Sequence, residues 1–109
     1  MAPYEMSIVE LDPAEVNERL ARGEVVLIDV REAHEIAAEC IPGAVAMPLS
    51  AFDPAALPHP DPTRIVLSCL GGKRSAMALD RCRQAGVAVT THMRGGLNGW
   101  KAAGLPTTR

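Results

Sequence analysis

Aromatic side chains are nearly missing from this chain: one Trp, one Tyr and one Phe, 3% of 109 residues. Hydrophobic residues still make up 48%, so a core is expected, and it has to be built from Val, Leu, Ile, Met and Ala. A basic surplus is missing too. The formal net charge is −2, which argues against a general nucleic-acid binder, whose footprint is cationic. No apolar run approaches the ~20 residues that a membrane-spanning helix needs, so no membrane partner is expected. Residues 1–10 have neither a cationic start nor an apolar central stretch, and no secretory leader is expected. Cysteine is sparse, with three residues, an odd number, and no Cys-x-x-Cys spacing. That excludes a disulfide framework and makes a reducing cytoplasm the expected setting. Cys40, Cys69, Cys82 and His92 lack zinc-ligand spacing, so neither metal nor cofactor is expected.

What is present is an alternation of short elements without internal repeats. The length suits one domain, which at this size buries roughly two-thirds of the surface its unfolded chain exposes. Ile8-Val9 is a strand candidate. Asp12-Pro13-Ala14-Glu15 reads as a helix start, with Asp12 as N-cap, Pro13 at the first helical position and Glu15 completing a capping box. This helix runs to about Arg22. Residues 25–30 form a nearly continuous apolar, β-branched run, as in a strand covered on both faces of a parallel sheet. Residues 32–39 read as a helix with Ala33, Ile36, Ala37 and Cys40 on one stripe. Residues 41–43 are a turn, 44–47 a short strand, and residues 50–53 a second capping-box pattern opening a short helix. A loop with three prolines spans 58–62. Residues 65–68 are a strand, 75–85 a helix, 87–91 the last strand, 95–96 a turn and 97–103 a closing helix. Strands alternating with helices imply an α/β domain with a mostly parallel sheet.

The segment that carries chemistry is 65–75, Ile-Val-Leu-Ser-Cys-Leu-Gly-Gly-Lys-Arg-Ser. A strand ends in one thiol, Cys69, a Gly-rich turn follows, and a helix begins. Ligand sites in parallel sheets form at such carboxyl ends. Backbone N–H groups of residues 70–75 and the helix N-terminus would face the sulfur and favour thiolate over thiol. Gly71 and Gly72 permit the inward curl. Lys73 and Arg74 would draw an anionic substrate. A free cysteine titrates near ~8.5 and is only a few per cent ionised at neutral pH, so the cradle decides the reactivity.

Four stretches together resemble a single-domain rhodanese, a sulfurtransferase: residues 27–32 (Leu-Ile-Asp-Val-Arg-Glu), 41–44 (Ile-Pro-Gly-Ala), 69–75 and 95–100 (Gly-Gly-Leu-Asn-Gly-Trp). They place one rhodanese-like domain over residues 1–109, its core at about 5–106. The resemblance implies a five-stranded, mostly parallel sheet flanked by helices on both faces. It implies that Cys69 takes a sulfane sulfur from a donor, carries it as a persulfide and passes it to a nucleophile. Leu70, Gly71, Gly72, Lys73, Arg74 and Ser75 are the expected substrate-binding loop. Asp29 and Arg31 are expected to brace the site through hydrogen bonds. The basic loop resembles thiosulfate-using members, so the expected partners are a small anionic sulfur donor and a thiol, cyanide or protein acceptor. The chain departs from the family in one place: Glu39-Cys40 stands where Gly-His is common.

Other readings compete. A carrier module delivering sulfur to a protein uses the same cysteine. A cysteine phosphatase or arsenate reductase wants five residues between Cys and Arg; here four intervene, and Ser75 stands where the arginine belongs. Cys82 and Cys40 read as packing residues, Trp100 as a core anchor, His34 and His59 as solvated. His92 follows the last strand, where by topology it could face the site, and reads first as a loop histidine without function. Arg94 reads by default as a solvated arginine, with added charge at the pocket mouth as the alternative.

Overall fold

The computed structural model describes residues 7–109; the start of the expected core and most of the segment read for a leader lie outside them. Five strands, β1 (Val9–Leu11), β2 (Val26–Asp29), β3 (Val45–Ala46), β4 (Ile65–Ser68) and β5 (Thr91–Met93), form one sheet in the order β1-β5-β4-β2-β3. Every pairing is parallel. The helices are α1 (Pro13–Ala21), α2 (Ala33–Ala38), α3 (Lys73–Gln84) and α4 (Gly96–Ala102).

The uninterrupted apolar runs of β2 and β4 follow from a core on each face. Leu27, Val66 and Met93 point to one side, where Val16 of α1 and Leu97 and Trp100 of α4 cover them. Ile28, Ile65 and Leu67 point to the other, against Ala78, Leu79 and Cys82 of α3 and Phe52. Each fully buried aliphatic side chain contributes about 1.5–3 kcal/mol by leaving water, which compensates for the scarcity of rings. Trp100 is 1% exposed and anchors the α1/α4 side. Its indole N–H donates to the Pro106 carbonyl at 2.8 Å.

Several local expectations are corrected. Asp12 caps α1 with its backbone alone; its carboxylate instead takes Arg94 Nη1 at 2.9 Å, and Glu15 pairs with Arg19. The capping box falls at Glu32/Glu35, at the start of α2. The α2 stripe is not core: Ala33 and Ala37 are exposed, and Ile36 and Cys40 are half-buried. Ser50 lies within a 3-10 turn, Leu49–Ala51, and its hydroxyl bonds Glu32, while Asp53 caps a second turn, Pro54–Ala56. His59 is half-buried and its Nδ1 accepts the Asp61 N–H at 2.9 Å. Helix α3 starts two residues earlier than expected. The last strand lies at Thr91–Met93 rather than 87–91, because the apolar residues Val87 and Val89 pack beside α3 outside the ladder.

Candidate active site

Cys69 directly follows β4 and is 1% exposed. Its sulfur faces nitrogen, not hydrocarbon alone. The Gly72 N–H donates to Sγ at 3.0 Å, and Ser75 Oγ lies 3.6 Å away. Gly72, at φ +109°, adopts a left-handed conformation that favours glycine and turns the chain into α3 as its N-cap. Burial acts to push the Cys69 thiol up, but the Ser75 hydroxyl and the backbone N–H groups of Ser75, Gly72 and Arg74 outweigh it, and the thiol titrates below its ordinary range. These amides belong to the first turn of a twelve-residue helix, where the unpaired N–H groups favour an anion.

The loop is held from below by α4. Leu97 N–H donates to the Cys69 carbonyl at 2.8 Å and Asn98 N–H to the Leu70 carbonyl at 3.0 Å. Gly96, at φ +55°, lies so close under this peptide that a Cβ would sit 2.3 Å from the Cys69 oxygen. The Gly95-Gly96 pair therefore reflects a backbone-to-backbone contact at the site itself.

The expected loop residues come together, with different postures. Leu70, Gly71 and Lys73 are exposed, Gly72 and Arg74 half-buried, and Ser75 fully buried. Arg74 is not free to face the sulfur: its guanidinium makes a two-point contact with Glu35. Asp29 ends β2 opposite Ser68 of β4. The Arg31 guanidinium folds back on it, Nε at 3.1 Å and Nη2 at 2.7 Å, and Nη2 also donates to the Glu39 carbonyl at 2.8 Å. Both are 3% exposed. This pair ties the strand beside Cys69 to α2, and α2 in turn holds Arg74.

His92 is the site neighbour that sequence reasoning misplaced. It lies within β5, 5% exposed, and its Nδ1 is 2.8 Å from Ser75 Oγ. The available signal was the Gly95-Gly96 turn, which requires the strand to end just before it. Cys40 forms an antiparallel bridge with Thr108 and is not among the groups found around the Cys69 sulfur.

A model of the rhodanese-like domain matches residues 12–103. The chain belongs to the rhodanese-like family. It is 34% identical over 98 residues to a sulfurtransferase of Allochromatium vinosum, covering 89% of this chain and 92% of that protein. It is 38% identical over 109 residues to an uncharacterized protein of Synechocystis, of which it spans only 61%. Among solved structures, thiosulfate sulfurtransferase from Pseudomonas aeruginosa matches with a TM-score of 0.82 at 29% identity, over 94% of this rhodanese-like chain and 20% of that one. The five-stranded α/β architecture is thus that of the rhodanese fold, and membership together with the sulfurtransferase relative supports sulfur transfer as the general activity.

Proposed function

We propose that this protein moves a sulfane sulfur from thiosulfate or a similar anionic donor to a nucleophilic acceptor through a Cys69 persulfide. The observation that carries the reading is the cradle of N–H groups, with Gly72 N–H 3.0 Å from the sulfur. The Cys69 thiolate attacks the outer sulfur of the donor. A Cys69 S–S bond forms, the donor's own S–S bond breaks, and sulfite leaves with the electron pair. The terminal persulfide sulfur is anionic, and the first turn of α3 suits it. A nucleophile, such as cyanide or a thiolate, then takes that sulfur and restores the Cys69 thiolate. Lys73, exposed at the start of α3, supplies charge for the donor and for departing sulfite. Asp29 and Arg31 hold the strand and α2 in place.

The phosphatase reading loses ground on the same geometry. A phosphate cradle needs a guanidinium turned inward, and Arg74 is committed to Glu35. The test is thiocyanate production from thiosulfate and cyanide, together with intact-mass detection of one added sulfur on Cys69. We expect both in the wild type and neither in Cys69→Ser. Turnover that survives the substitution overturns the proposal.

A further inference from the structure

His92 has no part in the sulfur-transfer steps above, yet it is buried on the strand next to the one that Cys69 follows. A continuous polar line passes through it. Cys69 Sγ lies 3.6 Å from Ser75 Oγ, Ser75 Oγ lies 2.8 Å from His92 Nδ1, and His92 Nε2 lies 3.3 Å from Glu10 Oε2. The Glu10 side chain is 48% exposed. The line therefore connects the Cys69 sulfur, in a residue 1% exposed, with the protein surface.

Donor and acceptor chemistry sets the protons along it. An ionised carboxylate only accepts, so Glu10, 3.3 Å from Nε2, favours the tautomer with its hydrogen on Nε2. In the neutral ring Nδ1 is then an acceptor, and the Ser75 hydroxyl donates to it. The Ser75 oxygen in turn offers a lone pair to the Cys69 S–H. The Gly72 carbonyl, 3.1 Å from the same oxygen, is an alternative acceptor and supplies no proton. When the sulfur ionises, its need reverses and it wants a donor. Two short proton shifts meet that need: the S–H proton moves to Ser75 Oγ while the Ser75 proton moves to Nδ1. The product is a thiolate facing an O–H, and an imidazolium with Nδ1 against Ser75 and Nε2 3.3 Å from Glu10 Oε2. Charge and atoms balance without any added reagent.

Among the described residues, Glu10 on β1 is the charged group against the ring. Arg94 stands behind it, Nε 3.9 Å from the other Glu10 oxygen and Nη1 2.9 Å from Asp12. Burial pushes His92 below its ordinary range and Glu10 only partly offsets this, so the resting ring is neutral, and its protonated form depends on the negative charges it then faces, Glu10 and the thiolate beyond Ser75.

We infer that His92 is a positioning residue for Cys69, taking up the thiol's proton through the Ser75 hydroxyl and so populating the thiolate at neutral pH. The inference rests on Cys69 being the nucleophile. It is tested by the pH dependence of Cys69 alkylation by iodoacetamide, a probe that needs no sulfur donor. The range is about pH 5.5 to 9, spanning ordinary His and Cys titration. The wild type should keep a reactive plateau below the ionisation of the thiol itself. His92→Asn, which retains a polar partner for Ser75 but has no base, should lose that plateau and react about tenfold more slowly near pH 6.5, within the usual range of coupling between sites. Ser75→Ala also removes the hydroxyl donor to the sulfur, so it should be at least as slow, and the double variant should be no slower than Ser75→Ala alone. By reciprocity, NMR should find His92 titrating at lower pH in Cys69→Ala than in the wild type. A folded His92→Asn with the wild-type profile overturns the inference. If that variant does not fold, an unchanged His92 titration in Cys69→Ala overturns it instead. Absent thiosulfate turnover alongside a retained plateau would retire the sulfurtransferase reading and leave this one standing.

Discussion

Arg74 and Glu35 meet in a two-point ion pair, Nη1 to Oε1 at 2.6 Å and Nη2 to Oε2 at 2.9 Å. The pair joins the first turn of α3 to α2. It fixes the direction of the guanidinium beside the Cys69 loop, and it also fixes the protonation of the carboxylate. The Arg74 hydrogen bonds hold the Glu35 carboxyl down to about 2.

A pH dependence of stability follows. A carboxyl whose folded pKa is depressed contributes stability above its unfolded pKa and loses it as pH falls toward the folded value. For Glu35 the loss runs from its ordinary 4.5 down to about 2. Glu39 is held down to about 2 as well, by Thr107 first and Lys101 second, and shares this window. Glu35→Gln should cost about 1 kcal/mol at neutral pH, as expected for a half-exposed pair, and should flatten the acid limb of stability. Urea midpoints at neutral pH and near pH 3 measure both effects. An unchanged acid limb would count against the pairing.

The Asp29–Arg31 pair should be less forgiving, because both partners are 3% exposed. Asp29→Asn strands a buried guanidinium and should cost about 3–5 kcal/mol, a large share of a typical domain's stability of ~5–15 kcal/mol. Arg31→Lys keeps the charge but loses the fork, so it should cost less. Denaturant unfolding of the two variants checks the order. A loss under 1 kcal/mol, the usual ceiling for a surface pair, in Asp29→Asn would show that the pair is solvated in solution.

Much of this is legible in the sequence. Residues 25–30 read as a strand covered on both faces of a parallel sheet, because a continuous apolar run reports that directly, and residues 65–68 read as a strand. The loop from Cys69 to Ser75 was legible because glycine, cations and a thiol have few bland explanations at that spacing. What misled was local propensity. Val87 and Val89 look more strand-like than Thr91 and His92, yet the ladder runs through the latter, since register is set by neighbouring strands and the Gly95-Gly96 contact. The direction of Arg74 was illegible for a similar reason: its partner Glu35 is 39 residues away, and no pattern along the chain announces that pairing.

Glycine substitutions separate backbone strain from collision. Gly23 has φ +69° and open space where a Cβ would stand, whereas Gly96 has φ +55° and a Cβ would strike the Cys69 peptide. Gly23→Ala should therefore cost about 1–2 kcal/mol, the left-handed penalty alone, with Cys69 reactivity unchanged. Gly96→Ala should cost more and also slow Cys69 alkylation, because the loop carrying the sulfur must move. Equal effects of the two would show that Gly96 serves only the turn.

One thiol of the domain should stay silent. Cys82 is fully buried on α3 among Ile28, Leu67 and Leu79, and burial pushes it up to about 11. The nucleophile is the thiolate, and raising the pKa by one unit removes tenfold of it near neutral pH. Cys69 has the opposite balance, since N–H and O–H donors overcome its burial. Brief iodoacetamide treatment near pH 7.5 should therefore label Cys69 and spare Cys82 until the protein is unfolded. Peptide mass mapping distinguishes the two. Labelling of Cys82 at a rate comparable to Cys69 in the folded protein would mean that access through local opening, rather than the donors around the sulfur, sets thiol reactivity in this domain.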